Sequence, residues 1–342
     1  MPAPATAEAF GQMPDGTAVH RVALAAGGIA ASAITWGAVL QDLQVRDRAG
    51  KPRRVVLGLG SLAEYLEHSR NFSAICGRVV NRISGATFTL DGTRHALDAN
   101  HRGRNTLHGG AGGFSKRVWT LAAQDASSVT FAIHSQDGDQ GFPGAVDATC
   151  TYRLLPPSTL EVVLEATASA PTPVNLAFHP YFILDDAPTI DAHRLTVAAD
   201  FFTPTDADGL PTGEVRSVAG TPYDFRAPRA LRALGHPEPG YDINLVLRTP
   251  PGATVPVPAA RLDSGAGDFA LEIETTAVAL QLFDAHTLDL AVPGLHGHRY
   301  GPRAGVALEP QGFPDAPNKS HFPTVTLRPG ARFRQVSRFR FV

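Results

Sequence analysis

The stretch FALEIETT, residues 269–276, sets Phe269, Leu271 and Ile273 against Glu272 and Glu274 with a period of two. A helix would scatter these side chains around its circumference, whereas a strand puts the three apolar ones on one face and both glutamates on the other. The same alternation appears in SVTFAIHS (128–135) and TLEVVLEATA (159–168), and such runs recur from one end of the chain to the other, separated by Gly, Pro, Asn and Asp. With 33 Gly and 28 Pro, the 342 residues hold enough turn formers to punctuate many short strands. Only SLAEYLEH (61–68) and APRALRALG (227–235) hint at helix, and both are short enough to be connectors. No fixed-period repeat or long linker divides the chain. The expected architecture is therefore one all-β domain over residues 1–342, a large and mostly antiparallel β-sandwich.

Composition then narrows the partners. An apolar share of 43% against 18% charged residues describes a chain that can bury a core. The formal net charge is −2 and Lys and Arg occur in pairs at most, so no basic footprint for nucleic acid or an anionic membrane is expected. A small uncharged partner fits better. The uncharged stretch VALAAGGIAASAITWGAVL (22–40) is about long enough to span a bilayer, but it is mostly Ala and Gly. Its larger residues, such as Ile34, Trp36 and Leu40, fall on alternate positions, the period of a strand. The opening MPAPATAEAF lacks the basic start and apolar middle of an export signal. Cys76 and Cys150 form neither a disulfide framework nor a metal-ligand spacing. A cytoplasmic protein, monomeric or homodimeric, is the expectation.

Several chemistries are excluded by pattern. The glycines of GGAGG (109–113) match neither a dinucleotide fingerprint nor a P-loop. DGDQGFPG (137–144) begins like a calcium loop but has Phe142 where the turning glycine belongs. HGH (296–298) has no third metal ligand nearby, and no serine or cysteine sits in a nucleophile elbow. Two histidines remain of interest. His108 lies among glycines in NTLHGGAGGF, where a ligand or another backbone could approach the ring. His179 lies in the apolar, aromatic NLAFHPYF, a setting that desolvates an imidazole and shifts its pKa. On the residues alone, the first is equally a glycine turn and the second a core histidine. Glu309, in VALEPQGFPDAPNKSHFP (306–323), reads as an acid at the end of a strand that Pro310 terminates.

Six motifs in order add a resemblance. GRVVNRI (77–83), NTLHGG (105–110), DGDQGFPG (137–144), NLAFHPYF (175–182), GYDINLVL (240–247) and LEPQGFPDAPN (308–318) resemble successive motifs of the aldose 1-epimerase, or galactose mutarotase, family. The likeness runs from FGQMPDG (10–16) almost to the C-terminus. It implies a large antiparallel β-sandwich, a monosaccharide substrate and no cofactor; the lack of a ligand cluster in the sequence adds the expectation of no metal. The implied reaction interconverts the α and β anomers of free aldoses, with Glu309 as base and His179 as acid. The resemblance also implies that Asn81 and Arg82 bind sugar hydroxyls, that His108 hydrogen-bonds near the anomeric centre, that Asp242 takes two further hydroxyls, and that Gln281 binds substrate with them. Before Gln281, however, TTAVALQLF (275–283) departs from the family's usual acidic lead-in; Val80 and the Ala-Phe before His179 depart as well, which bears on sugar preference. Two other readings share the fold. A hexose-6-phosphate 1-epimerase would use a basic pocket, for which Arg102 and Arg104 are the candidates, and a non-catalytic sugar-binding protein would need no acid–base pair.

Overall fold

In the computed structural model, which describes residues 7–47, 49–233 and 235–342, the alternating runs become strands. Ser128–Ser135 and Thr159–Ala168 coincide with the stretches read above, and Ala270–Thr275 falls inside FALEIETT. Phe269, Leu271 and Ile273 are buried, while Glu272 on the opposite face accepts from Arg261 at 2.6 Å and from Arg340.

These strands belong to a nine-stranded antiparallel sheet. At its middle the last strand of the chain, Phe333–Phe341, lies between Thr159–Ala168 and Ala270–Thr275. A second, six-stranded sheet runs in the order Tyr181–Phe182, Val306–Gln311, Ala279–Phe283, Asp242–Leu247, Ala199–Thr203, Arg216–Ser217. A third sheet of five strands comes from the N-terminal part, where the uncharged stretch 22–40 folds back on itself: Ala18–Ala26 and Ile29–Ile34 pair as a hairpin. The inner faces share one apolar core. Phe339 of the nine-stranded sheet meets Phe178 and Phe182 at ring-centroid distances of 5.7 and 5.5 Å, and Tyr152 donates to the Ala38 carbonyl at 2.7 Å.

Among the described residues there is one α-helix, Leu62–His68, inside the SLAEYLEH stretch that hinted at helix; it begins at a capping box between Ser61 and Glu64. The other helical expectation, 227–235, fails. Arg229–Ala230 pairs with Arg194 and Leu195 at the sheet edge, and Leu231 is buried with its N–H bonded to the His193 carbonyl. The ladder offered by the edge strand overrides the local helix propensity of this run. Leu234 of this run lies outside the described residues. No helix among them is long and apolar enough to cross a membrane.

Candidate active site

Glu309 does not sit at a strand end. Val306–Gln311 is buried along its whole length and keeps pairing through Leu280↔Pro310 and Ala279↔Gln311. The proline is tolerated because the neighbouring strand on the other side, Tyr181–Phe182, pairs only with Ala307 and Val306. Glu309 is thus fixed mid-strand, opposite Gln281, which in turn lies opposite Asn244. One position diagonal to Gln281, Asp242 opens the strand Asp242–Leu247, and Gln281 Nε2 donates to its Oδ1 at 2.6 Å.

His179 arrives from another direction. Its strand, Ala177–His179, pairs with Ala74–Cys76, and the ring stacks on Tyr181 at 5.1 Å and 21°. His179 Nε2 then stands 3.5 Å from Glu309 Oε1, with both side chains almost completely buried. His108 meets the same imidazole edge-on at 5.3 Å. Asn81 and His108 hold each other: the His108 N–H donates to the Asn81 carbonyl at 2.9 Å, and the Asn81 N–H donates to His108 Nδ1 at 3.3 Å. That second bond makes Nδ1 an acceptor and leaves the ring proton on Nε2. Both residues have left-handed backbones, with φ of 62° and 51°, a strain of about 1–3 kcal/mol each that such mutual bonding sustains. Arg82 extends from Asn81 to Asp242 Oδ2 at 3.0 Å.

All seven residues singled out in the sequence, Asn81, Arg82, His108, His179, Asp242, Gln281 and Glu309, line one cavity of about 540 Å³. Several of their polar atoms have no hydrogen-bond partner among the described residues: Glu309 Oε2, His179 Nδ1, Arg82 Nε and Gln281 Oε1. Buried polar atoms are seldom left so, and this mix of donors and acceptors suits a molecule rich in hydroxyls. Arg102 and Arg104 do not line the cavity; both bond Asp208, at 2.9 and 3.1 Å. Tyr181, Arg70, Asn71, Ser115 and Lys116 line it without having been singled out. Tyr181 had a visible signal, since it lies two residues after His179 in an extended run. The others come from segments that carry none.

Burial sets the protonation states. It pushes the Glu309 carboxyl well above the usual range, the Asp242 charge adds to this, and Arg82 opposes it. Burial likewise brings His179 down to about 4 and His108 well below an ordinary histidine. Burial thus disfavours the charged form of each of the three groups. For His179, desolvation outweighs the backbone hydrogen bond and the Asp242 charge, both of which favour the imidazolium.

A polar cavity in an all-β sandwich, lined by a buried carboxyl and imidazole 3.5 Å apart, has the groups that a small polyhydroxy compound would need both to bind and to exchange protons. The comparisons make it particular. Residues 20–340 match the family model described as aldose 1-epimerase. Galactose mutarotase of Bos taurus is 38% identical over 98% of both chains, and aldose 1-epimerase of Escherichia coli is 34% identical over 92% of both. An aldose epimerase homologue from C. elegans superposes with a TM-score of 0.87 at 30% identity, covering 95% of this chain and 99% of its own. The chain belongs to the aldose 1-epimerase family.

Proposed function

We propose that the protein interconverts the α and β anomers of free aldoses, galactose and glucose among them, with Glu309 and His179 as the proton-transfer pair. The observation that carries this reading is the buried pair itself, 3.5 Å apart in the lining of a polar cavity, with one side-chain atom of each left without a partner among the described residues. In the ring-opening step the Glu309 carboxylate takes the proton of the C1 hydroxyl, the C1–O5 bond breaks as the C1–O1 carbonyl forms, and the His179 imidazolium gives O5 its proton. Rotation about C1–C2 exposes the other carbonyl face. Closure returns the proton from Glu309 to O1 and the O5 proton to His179, leaving the other anomer and the original ionisation. His108, through Nε2–H, and the Asn81–Arg82–Asp242–Gln281 set would hold the remaining hydroxyls.

Burial lends this cycle a specific bias. The open-chain step leaves Glu309 protonated and His179 neutral, the distribution that desolvation favours. The site thus stabilises the proton arrangement of the least stable sugar form. Residues 1–342 are read as one aldose 1-epimerase unit in a cytoplasmic setting. Polarimetry of freshly dissolved α-galactose, α-glucose and a pentose tests the activity: the protein should speed the approach to equilibrium rotation without hydrolysing aryl glycosides. Unaltered relaxation of every sugar would overturn the reading.

A further inference from the structure

Glu309 and His179 stand on chains that run antiparallel, and the ladder joining those chains stops just short of the pair. Tyr181↔Ala307 is its last rung on the way to His179 and Glu309. Beyond that rung Pro310 has no N–H to offer. Two buried groups kept 3.5 Å apart need their chains fixed on both sides of them, and backbone pairing here supplies one side.

Asn175 supplies the other. Its Oδ1 accepts from the Gly312 N–H at 2.8 Å, and its Nδ2 donates to the Gly312 carbonyl at 3.2 Å. A carboxamide bonded to both the N–H and the C=O of one residue does what a facing strand residue would have done. Asn175 precedes His179 by four residues and Gly312 follows Glu309 by three, whereas Tyr181 follows His179 by two and Ala307 precedes Glu309 by two. The pair is therefore bracketed, by a ladder rung on one side and by the Asn175 carboxamide on the other. Asn175 is itself held: it is buried, its N–H donates to the Arg78 carbonyl at 2.9 Å, and its carbonyl accepts from the Val80 N–H at 2.8 Å. The bracket is thus anchored to the segment that leads into Asn81 and Arg82. Neither Asn175 nor Gly312 lines the cavity.

We propose that Asn175 is a positioning residue for proton transfer: through Gly312 its carboxamide holds the strand of Glu309 against that of His179 without touching the sugar. The proposal rests on the epimerase reading for the step it serves. Base and acid must meet C1–OH and O5 of one ring at the same time, and a misplacement of about 1 Å can cost on the order of 10²-fold in rate. The hydroxyl-binding side chains are held by other bonds, Gln281 to Asp242 and Arg82 to Asp242, so loosening the bracket acts on turnover and leaves binding in place.

The test measures kcat and KM for galactose by polarimetry, with melting temperatures, in the parent protein, Asn175→Ala, Asn175→Asp, Gly312→Ala and Val22→Ala. Asn175→Ala should lower kcat roughly 10- to 10²-fold and keep KM within about threefold of the parent. Gly312→Ala reaches the same bonds from the other side: its Cβ would lie 3.1 Å from Asn175 Oδ1, at a φ outside the left-handed region, and kcat should fall by a smaller factor. It decides the matter if Asn175→Ala does not fold. Asn175→Asp keeps the acceptor and regains a donor only when its buried carboxyl is protonated, so its kcat relative to the parent should recover as pH falls from about 8 to 5. Val22, buried in the N-terminal hairpin, supplies the control for lost stability: Val22→Ala should melt lower with kcat unchanged. Folded Asn175 and Gly312 variants with kcat within about twofold of the parent, or a Val22→Ala loss as large as theirs, would refute the positioning role while the epimerase reading stands. If the parent turns over no sugar, that reading falls, and crystal structures of the parent and Gly312→Ala decide the bracket alone. The Glu309–His179 separation should widen in the variant; an unchanged separation overturns the proposal.

Discussion

At the scale of single residues the proposed mechanism turns on two buried groups, Glu309 and His179, 3.5 Å apart. A lone carboxylate in this position would be costly, and so would a lone imidazolium; together they can hold a single proton at no net charge. Because burial raises Glu309 and lowers His179, the one-proton state spans a wide window. Below about pH 4 His179 takes a second proton, and above the raised Glu309 value the pair loses its only one. The plateau of kcat/KM should therefore reach well below pH 6, with apparent pKa values that belong to the pair. An acid limb near 6.5, as for a free histidine, would contradict this. Stability carries the same signature with its own sign. Since folding raises the Glu309 pKa, the stability that goes with its neutral form is complete at low pH and is lost as pH rises through the raised value. Glu309→Gln cannot ionise, so its melting temperature should gain on the parent as pH rises, which differential scanning fluorimetry across pH 5–9 would reveal. A constant offset would mean that Glu309 is not desolvated as described.

At the scale of elements, the site depends on backbones that touch. Gly109, with φ of 83°, follows His108 and packs so closely that a Cβ there would lie 2.0 Å from the Gly77 carbonyl oxygen. Gly109→Ala must move either the loop carrying His108 or the segment leading to Asn81 and Arg82. We expect a loss of roughly 1–3 kcal/mol or more in stability and a drop in kcat/KM with it, measured by denaturation and polarimetry. The glycine run in NTLHGGAGGF made this close approach legible, since only a side-chain-free residue fits it. The strand runs were legible for an equally local reason, their period of two. Local signals misled where the context was not local. Pro310 looks like a terminator, yet the ladder continues past it on one side. APRALRALG has helix-forming residues, yet a sheet edge uses two of them as strand.

At the scale of the whole molecule, residues far apart in sequence are brought to one cavity by sheet order. The last strand lies in the middle of the largest sheet, and one core cluster runs from Val19 to Phe341. The sequence motifs carried six of the seven site residues because each belongs to a run with its own pattern; Gln281, in TTAVALQLF, lies outside those runs. Arg70 and Lys116, which also line the cavity, had no such pattern; the segments that carry them are joined only in space, by the Ser115–Asn71 bond. The central claim, that the Glu309–His179 pair moves the protons of anomerisation, is tested most directly by polarimetry of fresh α-galactose with Glu309→Gln, shown by melting and calorimetry to be folded and sugar-binding. The account predicts a rate reduced by roughly 10²–10⁴ with binding retained, the usual contribution of a positioned acid or base. A folded, sugar-binding variant that still mutarotates galactose within a few-fold of the parent would contradict it.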